Sequence, residues 1–223
     1  LLDTNTLYEL MSLYSNHPSA IGSRLVKILS KYPEKTYLSD FVWTEFTVSL
    51  FQKNIDFENY HLWHNKRLSS YGHLYLFLKE KKVEIYDSFE YANKMNLNVL
   101  GLARDFALAK MNPEFMELLI EATKQKIKKA ENQKNVDENT KEFIERKIKN
   151  LKSGKLLDGL DALILASSIG FAMAHPTQEI IFLSNDRWMT AAARHLLENT
   201  QNYYLRELEK NPFELKILNP REL

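Results

Sequence analysis

Apolar positions in this chain recur with two periods, and the switches between them divide it into strands and helices. Leu1 and Leu2 close an apolar strand at Asp3, after which Leu7, Leu10, Met11 and Tyr14 fall at helical spacing with Asn5 or Thr6 as N-cap. His17-Pro18-Ser19 breaks that helix, and Ile21, Leu25, Ile28 and Leu29 mark a second, which ends before Pro33. Thr36 to Leu38 is a short strand, and Ser39 or Asp40 caps the helix carrying Val42, Phe46, Ser49 and Leu50. Asp56 to Lys82 reads as one long helix or two, bent near Gly72. Val83 to Tyr86 alternates as a third strand, and Leu100, Ala103, Phe106 and Ala107 make Glu90 to Met111 a helix.

The second half repeats the alternation. Asn112-Pro113-Glu114 is a helix start, and Asn139 with Glu142 has capping-box spacing, so Pro113 to Gly154 is expected to be a helical hairpin turning near Asn132 to Asn135. Asp158 to Phe171 is an apolar helix closed by Pro176. Glu179 to Leu183 is a strand, Arg187 to Glu198 a helix, and Phe213 to Leu218 a last strand. Strands alternating with helices predict an α/β fold, a short, mostly parallel sheet covered on both faces as a three-layer α/β/α stack. The whole of 1–223 is read as one domain, with 113–154 as an insertion within it.

Composition narrows the function classes. The chain has 223 residues, 44% of them hydrophobic, enough to bury a substantial core. Charge is balanced, 30 basic against 29 acidic residues, so no general polyanion-binding field follows from the total. Cysteine is absent, which rules out disulfides and thiolate metal sites and fits a reducing, cytoplasmic compartment. The longest apolar run, around Ala162 to Ala174, is too short to span a bilayer, so no membrane partner is expected. The opening Leu-Leu-Asp matches no signal peptide, and without an initiator methionine the start of the first strand is expected upstream of Leu1.

The chemistry lies in acidic residues beside apolar elements. Asp3 follows the first strand, Glu45 sits early in the third helix, Asp161 opens the apolar helix and Asp186 follows the Ile-rich strand. In an open parallel sheet these positions meet at the carboxyl edge, where ligands bind. Oxygen ligands of this kind suit Mg²⁺ or Mn²⁺, and carboxylates brought together repel one another unless a cation compensates. Each residue also has a plainer role. Asp3 serves as a turn or cap residue, Glu45 as a solvated helix residue, Asp161 as an anion at a helix N-terminus and Asp186 as the cap of the next helix; Asp158 is better read as a cap than as a ligand. The basic side chains of the hairpin, from Lys124 to Lys149, offer phosphate contacts, but the interleaved glutamates favour a solvated face. His61 and His64 read as a surface pair. Tyr60, Trp63, Tyr71, Tyr75 and Phe77 offer base stacking, with helix packing explaining most of the group.

Taken in order, Leu-Leu-Asp-Thr-Asn, a glutamate early in the helix after the second strand, Asp-Ala-Leu-Ile-Leu-Ala and Phe-Leu-Ser-Asn-Asp resemble the PIN-domain ribonuclease family over nearly the whole chain. The resemblance implies metal-binding, catalytic carboxylates at Asp3, Glu45, Asp161 and Asp186, with Asn5, Ser184 and Asn185 behind them or on the substrate. It implies a hydrolase, an endoribonuclease that cleaves RNA by in-line attack of an activated water with Mg²⁺ or Mn²⁺ as cofactor; DNA is not excluded as substrate, and a homodimer or an inhibitory protein partner is compatible with it. The chain departs from the compact toxin-type members in the longer stretch from Asp56 to Gly154, and Ser184 stands where a threonine is common. Two rivals are weighed against it. A haloacid-dehalogenase-type phosphatase requires a second aspartate where the chain has Asn5, and a non-catalytic PIN-like module would bind RNA or a protein without cleaving.

Overall fold

Residues 1–3 are where the backbone ladders meet. In the computed structural model, which describes residues 1–14, 18–32, 35–52, 60–109, 157–198 and 213–222 and the isolated positions 117, 120, 121, 124, 125, 145, 148 and 149, two parallel ribbons form. Strands β1 (Tyr37–Ser39) and β2 (Glu84–Tyr86) pair in register from Tyr37 opposite Glu84, and β3 (Glu179–Leu183) and β4 (Glu214–Leu218) from Glu179 opposite Glu214. The N-terminal segment lies between them. Leu2 N donates to Tyr37 O at 3.1 Å, Asp3 N donates to Leu183 O at 3.0 Å, and Leu2 forms a parallel bridge with Leu183. Five chain segments therefore lie side by side, in the order β2, β1, residues 1–3, β3, β4, with Asp3 leaving at the centre.

Helices fill the intervals. They are α1 (Thr4–Ser12), α2 (Ala20–Lys31), α3 (Asp40–Gln52), α4 (Tyr60–Glu80), α5 (Ser88–Lys94), α6 (Val99–Leu108), α7 (Gly159–Met173) and α8 (Arg187–Glu198). Helix α7 is apolar all round, and every residue from Ile164 to Met173 is buried, which makes it the central helix of the core. It packs against α5 and α6. Its own Phe171, together with Phe46, Phe106 and Phe182 from other elements, is fully buried, each contributing about 1.5–3 kcal/mol of transfer free energy. Among the described residues no helix is long and apolar enough to cross a membrane.

Most expected elements form with the expected starts. Ser19 caps α2 by accepting from Ile21 N and Gly22 N, and Ser39 Oγ accepts from Val42 N at 3.1 Å at the start of α3. The long helix expected before Lys82 forms as α4, unbroken through Gly72. Two readings need correction. The residue before α1 is Asp3, whose side chain makes no capping bond, so neither Asn5 nor Thr6 is the cap. The single helix expected over Glu90 to Met111 is two: Asn96 adopts φ 53°, Leu97 N closes onto Ala92 O at 2.8 Å, and Asn98 Oδ1 caps α6 through Gly101 N. A left-handed asparagine with that closure ends a helix regardless of the apolar spacing beyond it. The hairpin expected at 113–154 lies outside the described residues, apart from helical positions such as Glu117, Ile120, Glu145 and Ile148.

Candidate functional site

Asp3 leaves the centre of the paired segments with its carboxylate 2% exposed. Burial raises its pKa above the ordinary aspartate range, since the charged form loses water. The Ser184 hydroxyl opposes that shift by donating to Asp3 Oδ2 at 2.6 Å, as do the Thr4 backbone amide and the Asn5 side chain. The negative charge of Asp186 raises it further. Ser184 also links two of the acids, because its Oγ accepts from Asp186 N at 3.1 Å while it donates to Asp3.

Glu45 lies on the inward-turned part of α3, half-buried, and the Thr4 hydroxyl donates to its Oε2. Its pKa too is raised, chiefly by burial, then by the charges of Asp3, Asp158 and Asp186, with the Thr4 bond acting in the opposite sense. Thr4 therefore ties the helix leaving β1 to the end of residues 1–3. Glu45 is thus not a solvated helix residue.

Asp186 caps α8: its Oδ1 accepts from Trp188 N at 2.7 Å and Met189 N at 3.3 Å. Asp158 caps α7, accepting from Leu160 N at 3.0 Å and Asp161 N at 2.9 Å. Both capping roles were legible, and both carboxylates nevertheless act on Glu45. Asp161 stands half-buried in the first turn of α7, three residues beyond Asp158, and Asp158 acts on Glu45. Asn185 donates from Nδ2 to Glu9 Oε1 at 2.6 Å, and its Oδ1 is buried with no donor among the described residues. A buried carbonyl oxygen without a donor is what a bound water or cation satisfies.

The structure thus links Asp3 to Asp186 through Ser184 and puts Glu45 within electrostatic reach of both, with Asn5 acting on Asp3. Sequence reasoning missed Thr4, although a hydroxyl directly after the first aspartate was a readable signal, and it gave Asp158 only its capping role. Among the described residues, no three His, Asp or Glu side chains stand close enough to hold one ion between them. The oxygen-only donors and the unsatisfied Asn185 oxygen fit a hard divalent cation, which would have to draw the carboxylates closer. Comparison with protein-family models, curated proteins and solved structures gives no match.

Proposed function

We propose that the chain is a PIN-like, metal-dependent phosphodiesterase, an endoribonuclease with a three-layer α/β/α core. The observation that carries this reading is electrostatic: the charges acting on the buried Asp3 and Glu45 carboxylates are those of further carboxylates. Concentrated negative charge in a buried place destabilises the fold unless it is compensated, and a divalent cation is the ordinary compensation at a functional site. Asp3 and Glu45 would hold that cation, with Asp186 and Asp161 completing the set. When bound, Mg²⁺ or Mn²⁺ supplies Lewis acidity toward a phosphate oxygen and an attacking water. Ser184 keeps Asp3 oriented, Thr4 does the same for Glu45, and the buried Asn185 oxygen would accept from a bound water.

The test is incubation of end-labelled single-stranded RNA with the purified chain in Mn²⁺, Mg²⁺ or EDTA, together with Asp3→Asn and Asp161→Asn. Cleavage that needs the cation and disappears in both variants is expected. Undiminished cleavage in Asp3→Asn would sink the reading. One observation favours the second reading, a PIN-like module that binds RNA or a protein without cleaving: no three acidic or histidine groups are preassembled among the described residues. That reading expects nucleic-acid or protein binding without any cation-dependent cleavage.

A further inference from the structure

Strands β1 and β2 are neighbours, and each passes directly into a helix, α3 at Asp40 and α5 at Ser88. The second residue of each helix is a phenylalanine. The Phe41 and Phe89 rings meet edge to face, centroids 5.5 Å apart and planes 82° from parallel. Phe41 packs against the core on one side, whereas Phe89 is 43% exposed. The exposed part of Phe89 leaves this right-angled corner of two rings reachable from solvent.

The corner is held from below. Asp40 Oδ1 accepts from Phe41 N at 3.0 Å, from Ser88 N at 3.2 Å and from the Ser88 hydroxyl. The buried Ser88 hydroxyl meets Ser167 Oγ at 2.5 Å, and Ser167 in turn meets the Tyr86 hydroxyl at 3.1 Å. The residues immediately before both rings are therefore locked to each other and to the central helix, so the rings keep their angle without a ligand. Asp87 caps α5 through Phe89 N at 2.9 Å, fixing the second ring's backbone independently.

The corner also has a defined relation to the carboxylates. Phe41 and Glu45 are one turn apart on the same face of α3. Residues 1–3, β1 and β2 lie side by side, so Phe41 leaves the edge one strand spacing and Phe89 two, about 5 and 10 Å, from Asp3. The corner therefore stands beside the carboxylates, where a base rather than its neighbouring phosphate would lie. Acidic neighbours agree with this: Glu90 is exposed beside Phe89 and paired with Lys94 at 2.6 Å, a setting that would not attract a phosphate.

We propose that Phe41 and Phe89 form a base-stacking corner that seats an unpaired base of a single-stranded nucleic acid whose neighbouring phosphate lies at Asp3 and Glu45. The proposal rests on the nuclease reading only for the position of that phosphate. A base in a duplex is covered on both faces by its neighbours, so the corner selects single strands, and stacking on a ring tolerates any base sequence. Of the aromatic residues on α4, Tyr71 is committed to Trp43 and Phe46 in the core.

The experiment measures binding with Ca²⁺ in place of Mn²⁺, the RNA being checked for intact length in the same samples, using a fluorescently labelled oligouridylate and a blunt RNA duplex of equal length. Phe89→Ala is expected to weaken oligouridylate binding roughly tenfold, the loss of one stacked base, with little change in melting temperature. Phe89→Trp should bind as wild type, and its added fluorescence should be quenched by the single strand and not by the duplex. Equal binding by wild type and Phe89→Ala, equal binding of single strand and duplex, or no binding at all would overturn the proposal. A concentration-dependent blue shift of the added tryptophan without RNA would place a second copy of the chain on the corner and overturn it too. Mn²⁺-dependent cleavage is scored separately: quenching without cleavage removes the nuclease reading and keeps the corner, whereas cleavage with unchanged KM in Phe89→Ala does the reverse.

Discussion

Replacing Asp3 by asparagine separates a residue held for function from one held for the fold. Asp3 is buried and its pKa is raised, so folding takes up a proton there near the ordinary aspartate value of 3.8. The stability this group contributes is complete below that value and is lost as pH rises through its higher folded-state pKa. At neutral pH each tenfold weakening of the folded-state acid costs about 1.4 kcal/mol. With an unfolding entropy of about 2.1 cal/mol/K per residue, that amounts to about 3 °C in a chain of this length. Asp3→Asn keeps an acceptor for the Ser184 hydroxyl and removes the charge that acts on Glu45. The metal-free variant should therefore melt above wild type at neutral pH, by about 3 °C for each tenfold weakening of the folded-state acid, and the gain should vanish near the aspartate pKa. Saturating Mn²⁺ should reverse the order: at about 100 times its dissociation constant a cation adds about 2.7 kcal/mol to the wild type alone. Differential scanning fluorimetry across pH, with Mn²⁺ and with EDTA, reads all of this. A lower melting temperature for metal-free Asp3→Asn at neutral pH would refute the reasoning, because the hydrogen bonds from Ser184, Thr4 and Asn5 would then outweigh the burial of charge.

Three further substitutions test the frame around the site. In Gly22→Ala the new Cβ would stand 2.4 Å from Glu9 O and 3.0 Å from Leu13 Cγ, where α2 crosses α1. Forcing these helices apart should cost about 1–3 kcal/mol in chemical denaturation and disturb Glu9, the partner of Asn185. Lys82 holds φ 50° in the turn from α4 to β2, closed by Val83 N onto Leu78 O at 2.9 Å, so Lys82→Gly should raise stability by about 0.5–1 kcal/mol. Ser167→Ala removes the buried hydroxyl between Tyr86 and Ser88 and should cost about 1–3 kcal/mol; no loss would mean that the network is not satisfied through Ser167.

Strands β3 and β4 and helices α7 and α8 were legible because each is a single unambiguous run between breakers. Ile180, Ile181 and Phe182 stop at Ser184-Asn185-Asp186, and the apolar residues of α7 end two residues before Pro176. Where reading failed, local backbone chemistry outranked side-chain period. Leu97, Val99, Leu102 and Phe106 continue a helical rhythm from α5 into α6, yet the left-handed Asn96 turns the chain between them. Nothing in the spacing of apolar residues records a single φ angle. The order of the paired segments was also hidden, since Leu1 and Leu2 occupy the centre with only one bridge of regular pairing, too few residues for alternation to show.

The site divides along the same physical line. Asp3, Ser184 and Asp186 were readable because each ends an apolar run, and the geometry joins them through one serine that donates to the first acid and accepts from the backbone of the third. Phe41 and Phe89 were not readable as a pair, because 48 positions separate them and only the parallel register of β1 with β2 sets Asp40 against Ser88. Asp158 shows why separating caps from functional acids by residue type fails. A cap carboxylate accepts backbone amides at the positive end of a helix and still presents its charge to its neighbours. Asp158 and Asp186 each keep a helix end satisfied while acting on Glu45. Asparagine at either position would keep the cap and remove the field, so a capping aspartate at this edge carries a charge that the cap alone does not require.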